Sequence, residues 1–260
     1  MITRPVALVT GASTGIGKAF AEELARRGND LVLVARATAQ LEEVARAVEQ
    51  RHSVRTEVLT ADLTLQGDVE LVSARISSCN AVDIVINNAG RGNQGLFAES
   101  VLDDAFEQID LNVRALVALS HAAVSAMVPR GAGSLLNVAS IAAFQPLVKE
   151  AIYAASKAFV LTFTEALHEE VSRSGVKVTA LCPGFTRSEF QARAGIDGHS
   201  LPRYAWQEAD EVAVAGLDGL ESNKAVVVPG TVNKLLGALT HVAPRSVVRS
   251  VSGGISSRFG

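Results

Sequence analysis

The chain reads as an α/β protein: one domain on a seven-stranded parallel sheet with helices over both faces. Three observations predict this. Seven short β-rich runs alternate with longer segments of helical periodicity. The runs are nearly continuous in apolar residues instead of alternating, as expected of strands buried on both faces. No linker, repeat or low-complexity stretch divides the 260 residues, so a single domain is expected over 1–260.

The predicted strands are 6–9, 31–34, 54–59, 84–86, 134–138, 176–181 and 225–228. Between the second and third, Leu41, Val44, Ala45 and Val48 fall at i, i+3, i+4 and i+7, giving a helix with one apolar face. Crossovers of this kind put helices on both sides of a parallel sheet. Two segments break the alternation. Residues 186–210 mix charges, glycines, Pro202 and aromatics without a period, and read as a substrate lid. Residues 222–260 lack Asp and Glu but carry Lys224, Lys234, Arg245, Arg249 and Arg258. That segment is +5 and the remainder −8, so 231–260 reads as a basic C-terminal extension.

Composition narrows the classes. A chain 48% hydrophobic and 20% charged packs a core, which excludes a disordered tail or a small stapled scaffold. A net charge of −3 argues against nucleic acid as a partner. Cys79 and Cys182 cannot make a disulfide framework or a four-cysteine metal site, and read as buried apolar residues in a reducing compartment. The apolar run before Thr10 is too short for a secretory signal, and no eighteen consecutive apolar residues form a membrane span. A cytoplasmic protein is expected.

The first strand runs into Thr10-Gly11-Ala12-Ser13-Thr14-Gly15-Ile16-Gly17, and helical periodicity follows. A strand, a glycine turn and a helix start set free backbone N–H groups and a positive helix end beside a phosphate. Gly11 permits the tight turn; Gly15 and Gly17 remove Cβ atoms that would hold a pyrophosphate away. The alternative is an ordinary glycine-rich turn, since GxxxGxG departs from the common GxGxxG spacing. The second strand ends at Ala35-Arg36, where this type of fold places an adenosine ribose. No acid occurs from Leu31 to Gln40, so the ribose 2′-hydroxyl of NAD lacks its usual carboxylate, whereas Arg36 can pair with the 2′-phosphate of NADP. NADP(H) is the expected cofactor and NAD(H) the second choice; a solvated arginine is the alternative for Arg36. Asp62-Leu63 follows the third strand, in position to meet the adenine. Asn87-Asn88-Ala89-Gly90 ends the fourth, where either asparagine alone commonly caps a turn.

Tyr153-Ala154-Ala155-Ser156-Lys157 opens a helix, so phenol and ammonium share a face one turn apart. A nearby cation favours the phenolate and lowers the tyrosine pKa from ~10. A phenol tuned in that way exchanges a proton with a carbonyl or hydroxyl oxygen. Ser140 follows the fifth strand, where a hydroxyl can bond a substrate carbonyl or simply cap a turn. Asn112 is a polar residue in an apolar helix, either facing solvent or making a specific buried bond.

Taken together, these residues resemble the short-chain dehydrogenase/reductase family over roughly 5–229. The elements occur in the family's order: Thr10-Gly11-x-x-x-Gly15-Ile16-Gly17, Asp62, Asn87-Asn88-Ala89-Gly90, Asn112, Ser140, Tyr153-x-x-x-Lys157, Pro183-Gly184. The resemblance implies a doubly wound Rossmann sheet of strand order 3-2-1-4-5-6-7 and a nicotinamide cofactor. It implies that Tyr153 is the acid/base, that Ser140 polarises the carbonyl, and that Lys157 holds the nicotinamide ribose and depresses the tyrosine pKa. It also implies that Asn112 holds a water linking Lys157 to solvent, and that Ser13, Thr14, Leu63, Asn88, Ala89 and Gly90 border the cofactor with Pro183 and Gly184. Thr186 or Ser188 would contact the carboxamide. Two departures stand out. Gly184 is followed by Phe185-Thr186-Arg187-Ser188 where the family often has x-Val-x-Thr, and Thr14 stands where some NADP-dependent members carry a basic residue. The Ala35-Arg36 strand end resembles the branch of carbonyl and acyl-chain ketone reductases.

The resulting expectation is an NADP-dependent enzyme interconverting a ketone or aldehyde, apolar or acyl-chain in character, with an alcohol, chiefly by reduction. The rivals are a regulatory or scaffold protein without turnover, and an epimerase or dehydratase using the same cofactor. A homodimer or homotetramer is implied by the family. No metal is expected, because His52, His121, His168, His199 and His241 lie far apart. Tyr204 and Trp206 read either as pocket lining or as packing; Ala142, Phe144 and Ala151 are further pocket candidates. Leu217, Leu220 and the leucines of 111–119 read as core or subunit interface. Val232, Leu235, Leu236 and Leu239 fall near one helical face beside basic residues; packing on the domain is preferred over an anionic membrane or acyl carrier.

Overall fold

Leu8 and Val9 point to opposite faces of one strand, yet both are fully buried, Leu8 in one apolar cluster and Val9 in another. The next strand repeats the pattern: Leu31 and Leu33 pack on one side, Val32 and Val34 on the other. Burial on both faces is why the strand sequences are continuously apolar.

The structure is a computed structural model that describes residues 4–78, 81–190, 206–231 and 233–234. Its elements run β1 (Val6–Thr10), α1 (Gly15–Arg26), β2 (Asp30–Ala35), α2 (Thr38–His52), β3 (Thr56–Thr60), α3 (Gln66–Ile76) and β4 (Ile84–Asn87). They continue with α4 (Leu102–Ile109), a π-turn (Asp110–Ala115), α5 (Leu116–Arg130), β5 (Gly133–Val138), α6 (Ala151–Glu170), β6 (Val176–Leu181), α7 (Ala209–Glu221) and β7 (Val226–Val227). All strands are parallel in the order β3-β2-β1-β4-β5-β6-β7, the expected Rossmann order. One face is covered by α1, α2 and α7 through Phe20, Leu24, Leu41, Val44, Val48, Val212, Leu217 and Leu220. The other is covered by α3 and α5 through Val69, Val72, Ile76, Leu119, Ala123 and Met127. Val160 and Leu161 of α6 pack with Ala139, Ala180 and Cys182.

Leu217, Leu220 and Leu119 are therefore core. The α4–α5 helix, Leu102–Arg130, has the length and mean hydropathy (1.5) of a membrane span. Its buried side chains are spent on β4 and β5, which marks it as a core helix. The third strand begins at Thr56, two residues after the predicted start. Arg55 is taken up by Asp30, to which it donates from its backbone (2.9 Å) and its guanidinium (2.6 Å). The last strand keeps only Val226 and Val227 of the predicted four.

Because chain order reverses between β1 and β4, their C-terminal ends part and leave a crevice. A polar knot holds this centre. Asn87 Nδ2 donates to Ser120 Oγ (3.1 Å) and Asn137 Oδ1 (2.9 Å), and Asn137 Nδ2 donates to Thr164 Oγ1 (3.0 Å). It joins β4, β5, α5 and α6, so the elements bearing the site residues are cross-tied inside the core.

Candidate active site

A cavity of about 890 Å³ runs along the strand ends, from the turn after β1 past β2 and β4 to β5 and the residues after β6. Ser13, Thr14, Gly15 and Ile16 line its first part. The turn is held from below. Thr10 Oγ1 accepts from the N–H groups of Asn88 (2.9 Å) and Ala89 (3.0 Å), and Asn88 Nδ2 donates to the Thr10 carbonyl (2.9 Å). Gly11 has φ +66°, and a Cβ there would stand 2.8 Å from Asn88 Nδ2. Thr14 opens α1 in an extended conformation with no side-chain cap, and Gly15 and Ile16 of the first turn line the cavity.

Gly17 departs from its expected role. It does not line the cavity; a Cβ there would lie 2.1 Å from the Gly11 carbonyl oxygen. Its bareness lets α1 seat against the turn instead of clearing space for a pyrophosphate.

At the end of β2, Arg36 extends into solvent with 69% of its side chain exposed, 3.7 Å from Asp62. Both line the cavity with Leu63. Burial raises the Asp62 pKa, but bonds from the Thr64 backbone (3.0 Å) and hydroxyl (2.8 Å), together with the Arg36 charge, hold it below the ordinary range. A weakly paired, exposed guanidinium here is free to meet a phosphate.

Deeper in, Ser140, Tyr153 and Lys157 line one end of the cavity. Ser140 caps the short 3₁₀ turn Ile141–Phe144, accepting from the Ala142 N–H at 3.1 Å. It also hydrogen-bonds the Tyr153 phenol. Lys157 Nζ lies 5.9 Å from the Tyr153 ring centre and donates to the Val138 carbonyl at 2.8 Å. Burial pushes the Tyr153 phenol up to about 12, against the Ser140 bond; the Glu150 carboxylate adds to the rise. Burial brings Lys157 down to about 8. This corrects the expectation of a phenol depressed by the ammonium. Both groups are desolvated, which favours the neutral form of each, and the protein alone does not supply enough charge to reverse it.

Asn112 lies behind the cavity wall, almost fully buried in the π-turn. Its Oδ1 accepts from Arg91 N (3.0 Å), and its Nδ2 donates to Arg91 O (2.9 Å) and Ser156 Oγ (3.0 Å). Its side chain is thus a clamp, spent on the loop after β4 and on α6. Gly90 sits between Asn112 and Lys157: a Cβ there would stand 3.2 Å from Asn112 Oδ1 and 3.4 Å from Lys157 Nζ.

Asn88, Ala89, Gly90, Pro183, Gly184, Thr186 and Ser188 all line the cavity. Thr186 Oγ1 donates to Gly184 O (3.1 Å), and Ser188 faces Gly15. Among the other pocket candidates, Ala142 lines the cavity, whereas Phe144 packs with the Val160 cluster and Ala151 stays off the wall. Trp206 stacks near Phe185 (5.9 Å) and Arg187 (5.4 Å), a packing role. Cys79, Tyr204, His199, His241, Leu235, Leu236, Leu239, Val232 and most of the lid and basic extension lie outside the described residues. His52 pairs with Glu22 and His168 with the Val178 carbonyl. Among the described residues no cluster of three metal-ligating side chains occurs.

Sequence reasoning missed Arg91, Gln145, Leu147, Glu150 and Phe190 of the cavity wall. Glu150 alone left a usable signal, standing one turn before Tyr153 on the same helix start.

The turn, the exposed arginine and the half-buried Ser140 and Tyr153 beside the buried Lys157 share one cavity, an arrangement that fits a dinucleotide. The chain is similar to known proteins over most of its length. Residues 5–197 match the family model for short chain dehydrogenase. An oxidoreductase of Staphylococcus saprophyticus is 32% identical over 219 residues, covering 80% of this chain and 94% of that protein. A short-chain dehydrogenase from Sphingobium yanoikuyae, solved in complex with NADPH, is 38% identical, with a TM-score of 0.83 over 97% of this chain and 95% of that one. An alcohol dehydrogenase from Comamonas testosteroni, described as specific for bulky-bulky ketones, is 31% identical, with a TM-score of 0.79 over 93% and 95%.

Proposed function

The chain belongs to the short-chain dehydrogenase/reductase family, and from that premise we propose that it reduces the carbonyl of an apolar, bulky ketone or aldehyde to an alcohol with NADPH. The observation that carries the reading is that Ser140, Tyr153 and Lys157 share one cavity with the glycine turn and Arg36.

A dinucleotide held by the glycine turn and Arg36 would supply the hydride. Ser140 orients the carbonyl oxygen and donates a hydrogen bond to it as negative charge grows there. Tyr153, kept protonated by burial, gives its proton to that oxygen. Lys157, anchored on Val138, holds the ribose and returns a proton toward the phenol. Asn112 ties the Arg91 loop to α6, the helix that carries Tyr153 and Lys157. For NADPH over NADH, the support is the absence of an acid at the end of β2, the largely exposed and loosely paired Arg36 guanidinium, and the likeness to the Sphingobium structure. For a bulky apolar substrate, the support is the apolar surface that Leu147, Phe185 and Phe190 contribute to the cavity wall, and the likeness to the Comamonas enzyme. The test is consumption of NADPH by purified protein across a panel of ketones. Reduction of at least one bulky ketone is expected; no consumption with any member defeats the reading.

Assembly as a homodimer or homotetramer belongs to the same proposal. Leu102, Phe106 and Ile109 make an exposed apolar stripe on α4, continued by Phe97 and Val101 before it and Phe159 on α6. A contiguous patch of this kind suits a second copy. Sedimentation should show an oligomer, and Phe106→Glu should dissociate it.

A further inference from the structure

Glu150 carries an inference that rests on the carbonyl-reductase reading and narrows its substrate. The residue lines the cavity and lies within electrostatic reach of the Tyr153 phenol, three positions ahead of it at the start of α6. Among the described residues its side chain has no hydrogen-bond or ion-pair partner, and half-burial raises its pKa. The backbone before it is strained. Lys149 has φ +68°, a left-handed conformation uncommon outside glycine, and its carbonyl is pinned by the Gly95 N–H at 2.8 Å. A desolvated carboxylate without a partner is unfavourable unless something pairs with it. Its charge reaches the reacting group in the same cavity, where it opposes formation of the phenolate.

We propose that Glu150 determines substrate specificity: its carboxylate accepts a hydrogen bond from a donor group, a hydroxyl or an alkylammonium, that the substrate carries a few bonds from the carbonyl presented to Tyr153. The rest of the wall nearby, Leu147, Phe185, Phe190 and Ile141, supplies apolar contact for the body of such a substrate. Gln145 is a second polar group on this wall.

The test compares kcat/KM for NADPH-dependent reduction of an unsubstituted methyl ketone with the same ketone carrying a terminal hydroxyl or a terminal dimethylammonium group, at two to four carbons from the carbonyl. Wild type is expected to favour at least one donor-bearing probe by about tenfold or more, the scale of a hydrogen bond to a charged group. Glu150→Leu is expected to bring that ratio to about one. Glu150→Gln should keep the preference for the hydroxyl and lose that for the ammonium, and it decides the matter if the leucine variant does not fold. A wild-type ratio near one for every probe, with the plain ketone still reduced, overturns the inference and leaves the reductase reading standing. A Leu variant that keeps the preference also overturns it. No turnover with any ketone removes the reductase reading and this inference with it.

Discussion

Lys157 gives its ammonium hydrogen bond to the carbonyl of Val138, the last residue of β5, at 2.8 Å. The charge is thereby held at a strand end inside the core, where burial brings its pKa to about 8. For the free enzyme, kcat/KM of reduction should fall as pH rises through about 8, because the ribose-holding cation is lost there. Tyr153 keeps its proton throughout that range, since burial holds the phenol up to about 12. The stability effect of the lysine has the opposite sense. Between about 8 and 10.5 the unfolded chain binds more protons at this group than the folded one, so this contribution strengthens as pH rises. A pH profile from neutral to alkaline checks the first point, and Lys157→Arg should move the alkaline limb upward.

Replacing Tyr153 by Phe removes the proton donor while leaving the glycine turn and Arg36 untouched. Turnover should drop by about 10²–10⁴, the usual worth of a general acid. NADPH affinity, read by fluorescence titration, should stay within a few-fold of wild type. Retained turnover would remove Tyr153 from the mechanism.

Arg36 is mostly exposed and only loosely paired with Asp62, so Arg36→Ala should leave the melting temperature nearly unchanged. It should weaken NADPH binding by about tenfold or more and leave NADH binding little affected. Equal loss for both cofactors would show that Arg36 does not read the 2′-phosphate.

Gly17→Ala places a methyl 2.1 Å from the Gly11 carbonyl oxygen, and backbone cannot yield as a flexible side chain would. The helix must shift, at a cost of about 1–3 kcal/mol, despite the better helix propensity of alanine. Denaturant unfolding should register the loss, and weakened NADPH binding should accompany it because the turn moves with α1.

Glu23 receives both Arg26 and Arg27, and Arg27 reaches on to Asp218 and Glu221, which ties α1 to α7. The hydrogen bond from Arg26, then that from Arg27, outweighs burial and holds the Glu23 pKa at about 2. Its folded pKa is depressed, so the stability it contributes is present above about 4.5 and lost as pH falls toward about 2. Glu23→Gln should flatten acid unfolding in that window and cost about 2 kcal/mol at neutral pH.

The fold was legible because its strands advertise two-sided burial: Leu8, Val9, Leu31 and Val32 could sit only in a covered parallel sheet. The dinucleotide turn and the Tyr153–Lys157 pair were legible because each is fixed by local spacing. What stayed hidden depends on contacts across the chain. That Gly17 meets Gly11, that Asn112 grips Arg91 and Ser156, and that the phenol is raised by desolvation all follow from packing no short window contains. The sequence left Trp206 open between pocket lining and packing, and contacts with Arg187 and Phe185 decide for packing. The start of β3 slipped for a related reason: Arg55 is diverted to Asp30, a partner 25 residues away.

Beyond β6, Phe185 and Arg187 exchange backbone bonds of 2.9 Å with Gln207, and Thr186 bridges to the same residue. This staple closes the base of the excursion, while Asn233 grips Gln207 from the far side at 2.8 Å. That pairing fixes where the chain leaves β6 and where it re-enters toward α7, so the stretch of wall formed by Pro183, Gly184 and Thr186 is anchored by backbone bonds at its own end.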